Sequence, residues 1–498
     1  MDLLCLALVL ATAAISYWYC KRLHSYWDNQ HVPSIANPNV IFGHMLPAIA
    51  VKENIAEFVG RAYKSFDSSM VGFYFLRRPG ILVRDPEIVK RVLQTDFPSF
   101  HANLVTLSER NDPVLVNNPF FVSDHELWKK RRTRISNNLT GKKLKCLFAI
   151  NQEVCNGLSA FVERKIRENG QFYECELKNH FTRCTGEVVA NAALAIDGQS
   201  FRDQPDRLAF TVIAKSLFEP TFVNGIKQAL LFFLPGLANL LGLAFLEKKT
   251  DDYMRQTIKA IIKQRQQAGE APNDYLQFSA EANSLDIDGI VGDVVNFYAD
   301  VYETSSSAMA NLFYNLSQNP EIQSKLRDHL ASVLRETDGQ VTPESLKSMT
   351  YLDQVISESM RVIPAAGTLI KCCTKEITLT GADGVSCHLV PGNPVFIPII
   401  GLHRDEKYWP NPEVFDPDRF SPENQIHINK YAYLPFGEGP RMCVGMRFAL
   451  MLIKQTTATL ITKFAVEHSP KTKVPLEIDP SSFLIAFKAG LWARFKNI

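Results

Sequence analysis

Most of the chain repeats apolar residues at the spacing of an α-helix, and only short stretches alternate as strands do. The longest helical pattern runs from about residue 286 to residue 316 and ends at Asn319-Pro320. Another helix is predicted to begin at Thr342-Pro343, where a capping residue precedes a proline, and to continue through Arg361. The pattern therefore predicts a mainly α-helical protein.

The strand-like segments are few and short. Residues 71–76 and 81–84 flank Arg77-Arg78-Pro79-Gly80 and predict a hairpin, and a helix should follow at Asp85-Pro86. Residues 376–380 and 395–400 predict further strands between turns that contain glycine and proline. The β structure is expected to form a small region beside the helices.

Composition narrows the class of protein without naming it. The 498 residues carry a formal net charge of +2 and are 46% hydrophobic, which describes neither a disordered chain nor a nucleic-acid binder. The ten cysteines are scattered and contain no Cys-x-x-Cys pair, so reduced thiols are the simplest interpretation. They lie at positions 5, 20, 146, 155, 175, 184, 372, 373, 387 and 443.

One cysteine stands in a setting that a bound metal cofactor would explain. Cys443 lies between Gly439 and Gly445, in the stretch that begins at Phe436, and Arg441 precedes it by two residues. Glycines let backbone amides turn toward a sulfur atom, and a helix that begins at about Met446 would favour a thiolate through its dipole. Taken alone, Cys443 would more often be an ordinary buried free cysteine.

The whole stretch resembles the haem loop of cytochromes P450, Phe-x-x-Gly-x-Arg-x-Cys-x-Gly, at every fixed position. The resemblance implies haem b with Cys443 as the axial thiolate ligand of the iron, and it places Phe436 and Arg441 beside the cofactor. It also implies the P450 fold, which is mainly α with a small β region and an N-terminal membrane anchor helix.

Two further motifs resemble contacts of the haem propionates. Trp128 and Arg132 are four residues apart and share a helix face, as in the P450 Trp-x-x-x-Arg helix. Lys371 stands where related microsomal P450s have an arginine, and a lysine would pair without a bidentate fork. Without the cysteine loop, core packing for Trp128 and a solvated face for the charges would be favoured.

The long helix carries the second chemical signal. Glu303-Thr304 could relay protons during O–O cleavage, and its position resembles the distal helix of P450s. The chain departs from the family just before this pair, because Asp300-Val301 replaces the usual Ala-Gly. A branched valine should narrow the opening for dioxygen, and an extra carboxylate should alter proton delivery.

A structural network is implied by a third motif. Glu358 and Arg361 share a face at i, i+3 spacing, and Arg419 in Asp416-Pro417-Asp418-Arg419-Phe420 would complete the P450 Glu-Arg-Arg cluster. We assign these residues to folding and haem retention.

The N-terminus predicts membrane attachment. Residues 3–20 are largely apolar and are followed by Lys21 and Arg22, which predicts an uncleaved anchor over 1–22 with the rest of the chain on the cytosolic side. A proline-containing hinge over 23–43 and a haem-thiolate catalytic domain over 44–498 would follow. The alternative is a cleaved signal peptide.

A second apolar stretch, residues 229–246, is broken by Pro235-Gly236. Given the resemblance, we expect two short helices lying against the bilayer. A second membrane span and a wholly buried helix pair are the alternatives.

The resulting hypothesis is a microsomal monooxygenase on the cytosolic face of the endoplasmic reticulum, most like insect xenobiotic-oxidising P450s. It would take electrons from NADPH through NADPH-cytochrome P450 reductase, with cytochrome b5 as an additional candidate donor, and oxidise a lipophilic small molecule. Two alternatives remain: a P450-fold isomerase or lyase that acts on peroxides without a reductase, and a haem or ligand binder without turnover.

Two surfaces complete the prediction. An acidic electron donor could dock on a basic patch near Trp128. Lysines that face the membrane or are merely solvated would give the same pattern. The patch consists of Lys129, Lys130, Arg131, Arg134, Lys142, Lys143 and Lys145. By resemblance, the substrate would contact four stretches: the residues before Trp128, the surroundings of Phe297, residues 365–370, and Phe483-Leu484.

Overall fold

The computed structural model describes residues 2–206, 213, 218, 220–269, 271–281 and 287–498, except for the side chains of residues 2–4, 9, 13, 20, 21 and 23. Helices dominate these residues, as the apolar periodicity predicts. In chain order, the α-helices are α1 Asp2–Leu23, α2 Tyr26–Asn29, α3 Leu46–Ile49, α4 Ile55–Lys64, α5 Pro86–Lys90, α6 His125–Asn138, α7 Gly141–Asn169, α8 Leu177–Leu194, α9 Phe222–Phe233, α10 Pro235–Leu240, α11 Lys248–Ala268, α12 Tyr275–Glu281, α13 Ile287–Gln318, α14 Pro320–Arg335, α15 Pro343–Ser348, α16 Thr350–Val362, α17 Ile399–Leu402, α18 Pro422–Gln425 and α19 Met446–Ile461.

The strands are short and form three small sheets. They are β1 Met70–Phe75, β2 Arg78–Val83, β3 Ala102–Asn103, β4 Tyr173–Glu176, β5 Leu369–Cys372, β6 Ile377–Thr380, β7 Ser386–Leu389, β8 Pro394–Ile397, β9 Phe464–His468 and β10 Trp492–Asn497. The largest sheet has the order β1-β2-β8-β5-β3, the second β4-β10-β9, and the third pairs β6 with β7. In the largest sheet β2 and β8 run parallel, and the other pairs are antiparallel.

The long helix α13 forms the centre of the helical part. It packs mainly against α8 and also against α12, α16 and α19. Between Ile290 and Ser317, every side chain except those of Asp300 and Thr304 is buried or half-buried. A helix that is buried on all its faces belongs in the interior of a large domain. The two exposed residues therefore mark a break in the packing that the described residues form around the helix.

Most of the helices and strands predicted from the sequence are present, although their first and last residues differ from the prediction. The hairpin forms as β1 and β2, and Asp85 caps α5 by accepting a hydrogen bond from the amide of Glu87 at 2.9 Å. The single helix expected from Thr342 through Arg361 is in fact two helices. Helix α15 ends before Met349, and α16 begins directly after it. Asp286, the predicted start of the long helix, lies outside the described residues.

The N-terminal helix α1 covers the predicted anchor. Leu8, Leu10 and Ile15 on it are exposed. Among the helices that the structure describes, none has both the length and the hydropathy required to cross a bilayer. The side chain of Lys21, which the predicted orientation uses, is outside the described set. The anchor is therefore not confirmed.

Residues after the first helix pack on the largest sheet. The indole of Trp27 is fully buried and donates a hydrogen bond to the carbonyl of Phe73 at 3.0 Å. Ser34 bridges to Gly72, and Gly43 bridges to Phe75. The segment predicted as a hinge is thus docked on β1 over much of its length.

Candidate active site

The Cys443 loop leads into helix α19 through a tight turn. The amide of Cys443 donates to the carbonyl of Phe436 at 2.8 Å, and this bond closes the loop. Gly437 and Gly439 have φ values of +69° and +76°. At Gly439 an added Cβ would lie 2.1 Å from the carbonyl oxygen of Leu93, so this position excludes any side chain.

The sulfur of Cys443 is exposed at the surface of this loop. Desolvation by the surrounding protein raises the pKa of the thiol, whereas hydrogen bonds from the amides of Gly445 and Met446 and the charge of Arg132 lower it. The amides at the start of α19 therefore favour the thiolate, as the sequence predicts. A metal ion on the sulfur would displace the thiol proton.

Helix α13 presents Asp300 and Thr304 toward the same region. They are four residues apart and share a face. The carboxylate of Asp300 lies close enough to the thiol of Cys443 to raise its pKa. Thr304 donates from Oγ1 to the main-chain carbonyl of Asp300 at 2.5 Å. Helix α13 stays α-helical through this point, and Val301 is buried.

Glu303 is separated from this exposed face. Its side chain is 6% exposed and forms an ion pair with Lys178 of α8. The structure therefore brings Thr304 to the region of Cys443, but it holds the carboxylate of Glu303 on the α8 side of the helix.

Three cations converge on the other side of the site. Desolvation lowers the pKa of Arg132, that of Lys371 to about 7 and that of Arg441 to about 10. The positive charges also lower the pKa of one another, since Arg441 and Arg132 act on Lys371 and Arg132 acts on Arg441. Within the described part of the chain, no carboxylate pairs with any of the three. Lys371 is buried and the two arginines are half-buried, and cations so desolvated without counterions favour an anion from elsewhere.

Neutral groups hold two of these cations in place. Lys371, which is 4% exposed on β5, donates from Nζ to Oδ1 of Asn103 at 2.9 Å. Arg441 donates to the carbonyls of Pro119 and Val122 at 3.0 and 2.5 Å. Its guanidinium carbon lies 4.9 Å from the ring centroid of Trp128, and its Nε is buried without a hydrogen-bond partner.

Trp128 is 5% exposed and packs at 5.4 Å from the ring of Phe97. Trp128 thus packs in the core, which was the alternative interpretation, and it also lies beside Arg441, while its contact with a haem propionate stays a prediction.

These observations test whether the residues fit haem. A P450 haem requires a sulfur ligand beneath a close-packed loop, an open face opposite the sulfur, and cations for two propionates. Cys443 supplies the sulfur, and Gly439 allows the close packing of its loop. Asp300 and Thr304 lie on the open face. The cation cluster of Arg132, Lys371 and Arg441 would hold the propionates. The residues present fit haem.

The Glu358 network lies behind the site in the core. Glu358 and Arg361 are both fully buried and form two hydrogen bonds of 2.7 Å. Arg361 also donates to the carbonyl of His403 at 2.9 Å, and Arg419 approaches Glu358 at 3.5 Å. Burial raises the pKa of Glu358, and the charge of Arg361 opposes that shift. The structure brings together all three residues predicted for this network.

The predicted substrate contacts are only partly brought together. The amide of Ile485 donates to the carbonyl of Ala365 at 2.9 Å, which joins two of the predicted stretches. Phe297, in contrast, is buried and stacks on Tyr275 with ring centroids 4.2 Å apart. It packs in the core between α12 and α13.

Sequence reasoning missed three partners: Asn103 beside Lys371, Lys178 beside Glu303, and Asn118 beside Asp300. Each lies more than a hundred residues from its partner along the chain. Periodicity and motif spacing carry no signal at such separations, so the sequence contained no means to find them.

The comparisons with known proteins agree with this geometry. The family model described as Cytochrome P450 matches residues 33–492. The chain therefore belongs to the cytochrome P450 family. It is a P450 monooxygenase, an oxidoreductase that uses haem iron.

Its relatives include insect proteins, as the sequence predicts. It is 29% identical to Cytochrome P450 6k1 of Blattella germanica, with 99% of this chain and 97% of the relative covered. It is 31% identical to Cytochrome P450 9e2 of the same species, covering 96% and 95%. It is 29% identical to Cytochrome P450 6a2 of Drosophila melanogaster, covering both chains completely.

Proposed function

We propose that this P450 inserts one atom of dioxygen into a lipophilic small molecule, such as a xenobiotic, a hormone or a lipid, with electrons from NADPH delivered by NADPH-cytochrome P450 reductase. The observation that carries the proposal is that the exposed Cys443 lies near Asp300, on the exposed face of α13 that Asp300 and Thr304 share. Haem bound there would supply oxygen activation. Cytochrome b5 is an additional candidate donor.

The chain's own residues would orient the cofactor and move protons. Arg132, Lys371 and Arg441 would neutralise the propionates, and the amides of Gly445 and Met446 would stabilise the thiolate. The hydroxyl of Thr304 would hold a proton on the exposed face of α13, where the oxygen chemistry supplied by haem would need it.

Glu303 would supply that proton from the side of α8, where Lys178 holds its carboxylate. Because the carboxylate is not on the exposed face, it must either change rotamer or use a bridging water. As two members of one relay, Glu303 and Thr304 should each be required for full turnover.

We place the protein at the cytosolic face of the endoplasmic reticulum membrane. Besides the exposed apolar residues of α1, a second exposed apolar set lies at the start of α9 and the end of α10, where Phe222, Val223, Leu240 and Leu241 are all more than half exposed. Monomeric soluble proteins seldom expose such a group of large apolar side chains. The set supports the contact with the bilayer that the sequence predicts for residues 229–246.

The electron donor would dock on a smaller basic surface than the sequence suggests. Lys129, Lys130, Lys142 and Lys145 are exposed on α6 and α7. Three residues of the predicted patch are not exposed in this way: Arg131 is half-buried, Arg134 pairs with buried Asp293, and Lys143 lies over the ring of Phe278 at 4.9 Å. The four lysines would attract an acidic partner.

The test is the reduced, CO-bound absorption spectrum of the purified protein, followed by NADPH consumption with added reductase. We expect a thiolate-type spectrum and reductase-dependent substrate oxidation. Cys443→Ser should abolish both, and haem with activity in that variant would refute the assignment. A thiolate spectrum with reductase-independent rearrangement of a peroxide would replace monooxygenation by the isomerase or lyase alternative.

The proton relay has its own test. Glu303→Gln and Thr304→Ala should each lower turnover by about 100-fold, the usual size of a general acid-base contribution. The CO-bound spectrum should remain, because neither side chain touches the sulfur. Unchanged turnover in both variants would remove the relay from the proposal.

A further inference from the structure

The strongest unassigned feature is the carboxylate of Asp300. It is exposed on a helix whose neighbouring residues Val301, Tyr302 and Glu303 are buried, and it faces the region of Cys443. P450s usually have a small apolar residue here, so an open face beside the cofactor does not require a carboxylate, and the proton relay of Glu303 and Thr304 does not use it.

Asp300 is held at a fixed position. Nδ2 of Asn118 donates to both carboxylate oxygens, at 2.9 and 3.1 Å. Oδ1 of Asn118 in turn accepts from the amide of Phe120 at 2.9 Å, which fixes the amide with its nitrogen toward Asp300. Asn118 itself is 4% exposed and closes the 3-10 helix Leu115–Asn117. The carboxylate is therefore positioned by buried structure.

The carboxylate has unused capacity on the side of the site. Two carboxylate oxygens accept about four hydrogen bonds, and Asn118 supplies one nitrogen for both. The hydroxyl of Thr304 donates to the main-chain carbonyl of Asp300 and not to its side chain. Among the described residues, no cation forms an ion pair with it, and Asn118 is the one side chain that lowers the pKa of its carboxyl.

We propose that Asp300 recognises the cationic nitrogen of a lipophilic substrate, so that this P450 binds hydrophobic amines in their charged form with the nitrogen at α13. The inference rests on the proposed function and adds its substrate class. A carboxylate fixed at the edge of the site gains most from a ligand that carries the opposite charge, whereas it would repel a lipophilic acid.

The experiment uses haem-loaded protein and two probes of one shape. One is (4-phenylbutyl)trimethylammonium, whose nitrogen has no lone pair for iron and keeps its charge at every pH. The other is its neutral isostere, (5,5-dimethylhexyl)benzene. Dissociation constants for both are measured by equilibrium dialysis in the wild type, in Asp300→Asn and in Asp288→Asn. Asp288 lies near the start of the same helix, and Lys259 pairs with its carboxylate at 2.9 Å. It is the matched control because it is an aspartate of α13 that already has a counterion.

We expect Asp300→Asn to weaken binding of the ammonium probe by about tenfold or more and to leave the neutral probe within about twofold, since a desolvated charge pair contributes on this scale. Asp288→Asn should change neither. The inference is overturned if Asp300→Asn weakens the binding of both probes by the same factor, or if the ammonium probe binds Asp300→Asn as tightly as it binds the wild type.

A wild-type comparison keeps the test valid if Asp300→Asn does not fold. The ammonium probe should bind more tightly than 5-phenylpentanoate, and the reverse order would overturn the inference. Failure of the proposed function is separately visible in the same preparation, as loss of the thiolate-type CO spectrum or of NADPH-dependent oxidation of neutral substrates.

Discussion

Nζ of Lys371 donates a hydrogen bond to Oδ1 of Asn103 at 2.9 Å. The ammonium group of Lys371 is nearly buried, and its partner within the described residues is this neutral amide. The arrangement leaves the charge of Lys371 without a counterion, and desolvation lowers its pKa to about 7. A haem propionate would complete the pair.

Lys371→Met is therefore expected to weaken haem retention. Loss of one charge-assisted hydrogen bond should speed haem dissociation about tenfold, measured by transfer of haem to apomyoglobin. Lys371→Arg should retain haem. Lys375→Met, which removes an exposed lysine four residues away, is the matched control and should leave the rate unchanged. Equal rates for Lys371→Met and the wild type would separate this lysine from the cofactor.

Gly439→Ala tests the close approach beneath the cysteine loop. Its Cβ would lie 2.1 Å from the carbonyl oxygen of Leu93, so we expect little haem-loaded protein. Gly437→Ala is the control, because its φ is similarly positive but the nearest atom is 3.8 Å away. That variant should cost only the backbone strain of about 1–3 kcal/mol. Equal haem content and melting temperature in the two variants would contradict the steric argument.

Arg361→Ala should destabilise the fold by about 3–5 kcal/mol, because it leaves the carboxylate of Glu358 buried without its main partner. Arg419→Ala should cost less, since Arg419 lies farther from Glu358, at 3.5 Å. Denaturant unfolding monitored by haem absorbance measures both. The double variant Glu358→Ala/Arg361→Ala should lose less than the sum of the single variants, and strict additivity would rule out direct coupling.

The pH dependence of stability should report Asp300. Asp300 is open toward the site, but the protein that surrounds it desolvates its carboxyl and raises the pKa from 3.8 to about 7, so the folded state holds this proton more tightly than the unfolded state does. Its contribution to stability therefore falls as pH rises from about 4 to about 7. Asp300→Asn should have a melting temperature equal to that of the wild type near pH 4 and above it at pH 8.

Asp288→Asn serves as the opposite case. Pairing with Lys259 lowers the pKa of Asp288, so its carboxylate stabilises the fold above about pH 4. That variant should melt below the wild type at pH 8. An Asp300→Asn profile that follows the Asp288→Asn profile would show that the carboxylate of Asp300 is not held in a desolvated site.

The sequence by itself determined the family, the cysteine and the helical class. A ligand loop is continuous in the chain, so Phe436 through Gly445 could be recognised by order and spacing alone. The i, i+3 and i, i+4 periodicities likewise placed Glu358 with Arg361 on one face and Trp128 with Arg132 on another, because helix geometry is local.

Tertiary structure decided which of those residues share a space and which partners they have. Only the packing of α8 against α13 directs Glu303 to Lys178 and away from Thr304, and only the loop before α6 brings Asn118 to Asp300. The three cations at Arg132, Lys371 and Arg441 come from three separate elements, so their shared lack of a counterion cannot be read from any one segment. Pairing across such distances depends on how the helices and the sheet pack, which no local pattern encodes.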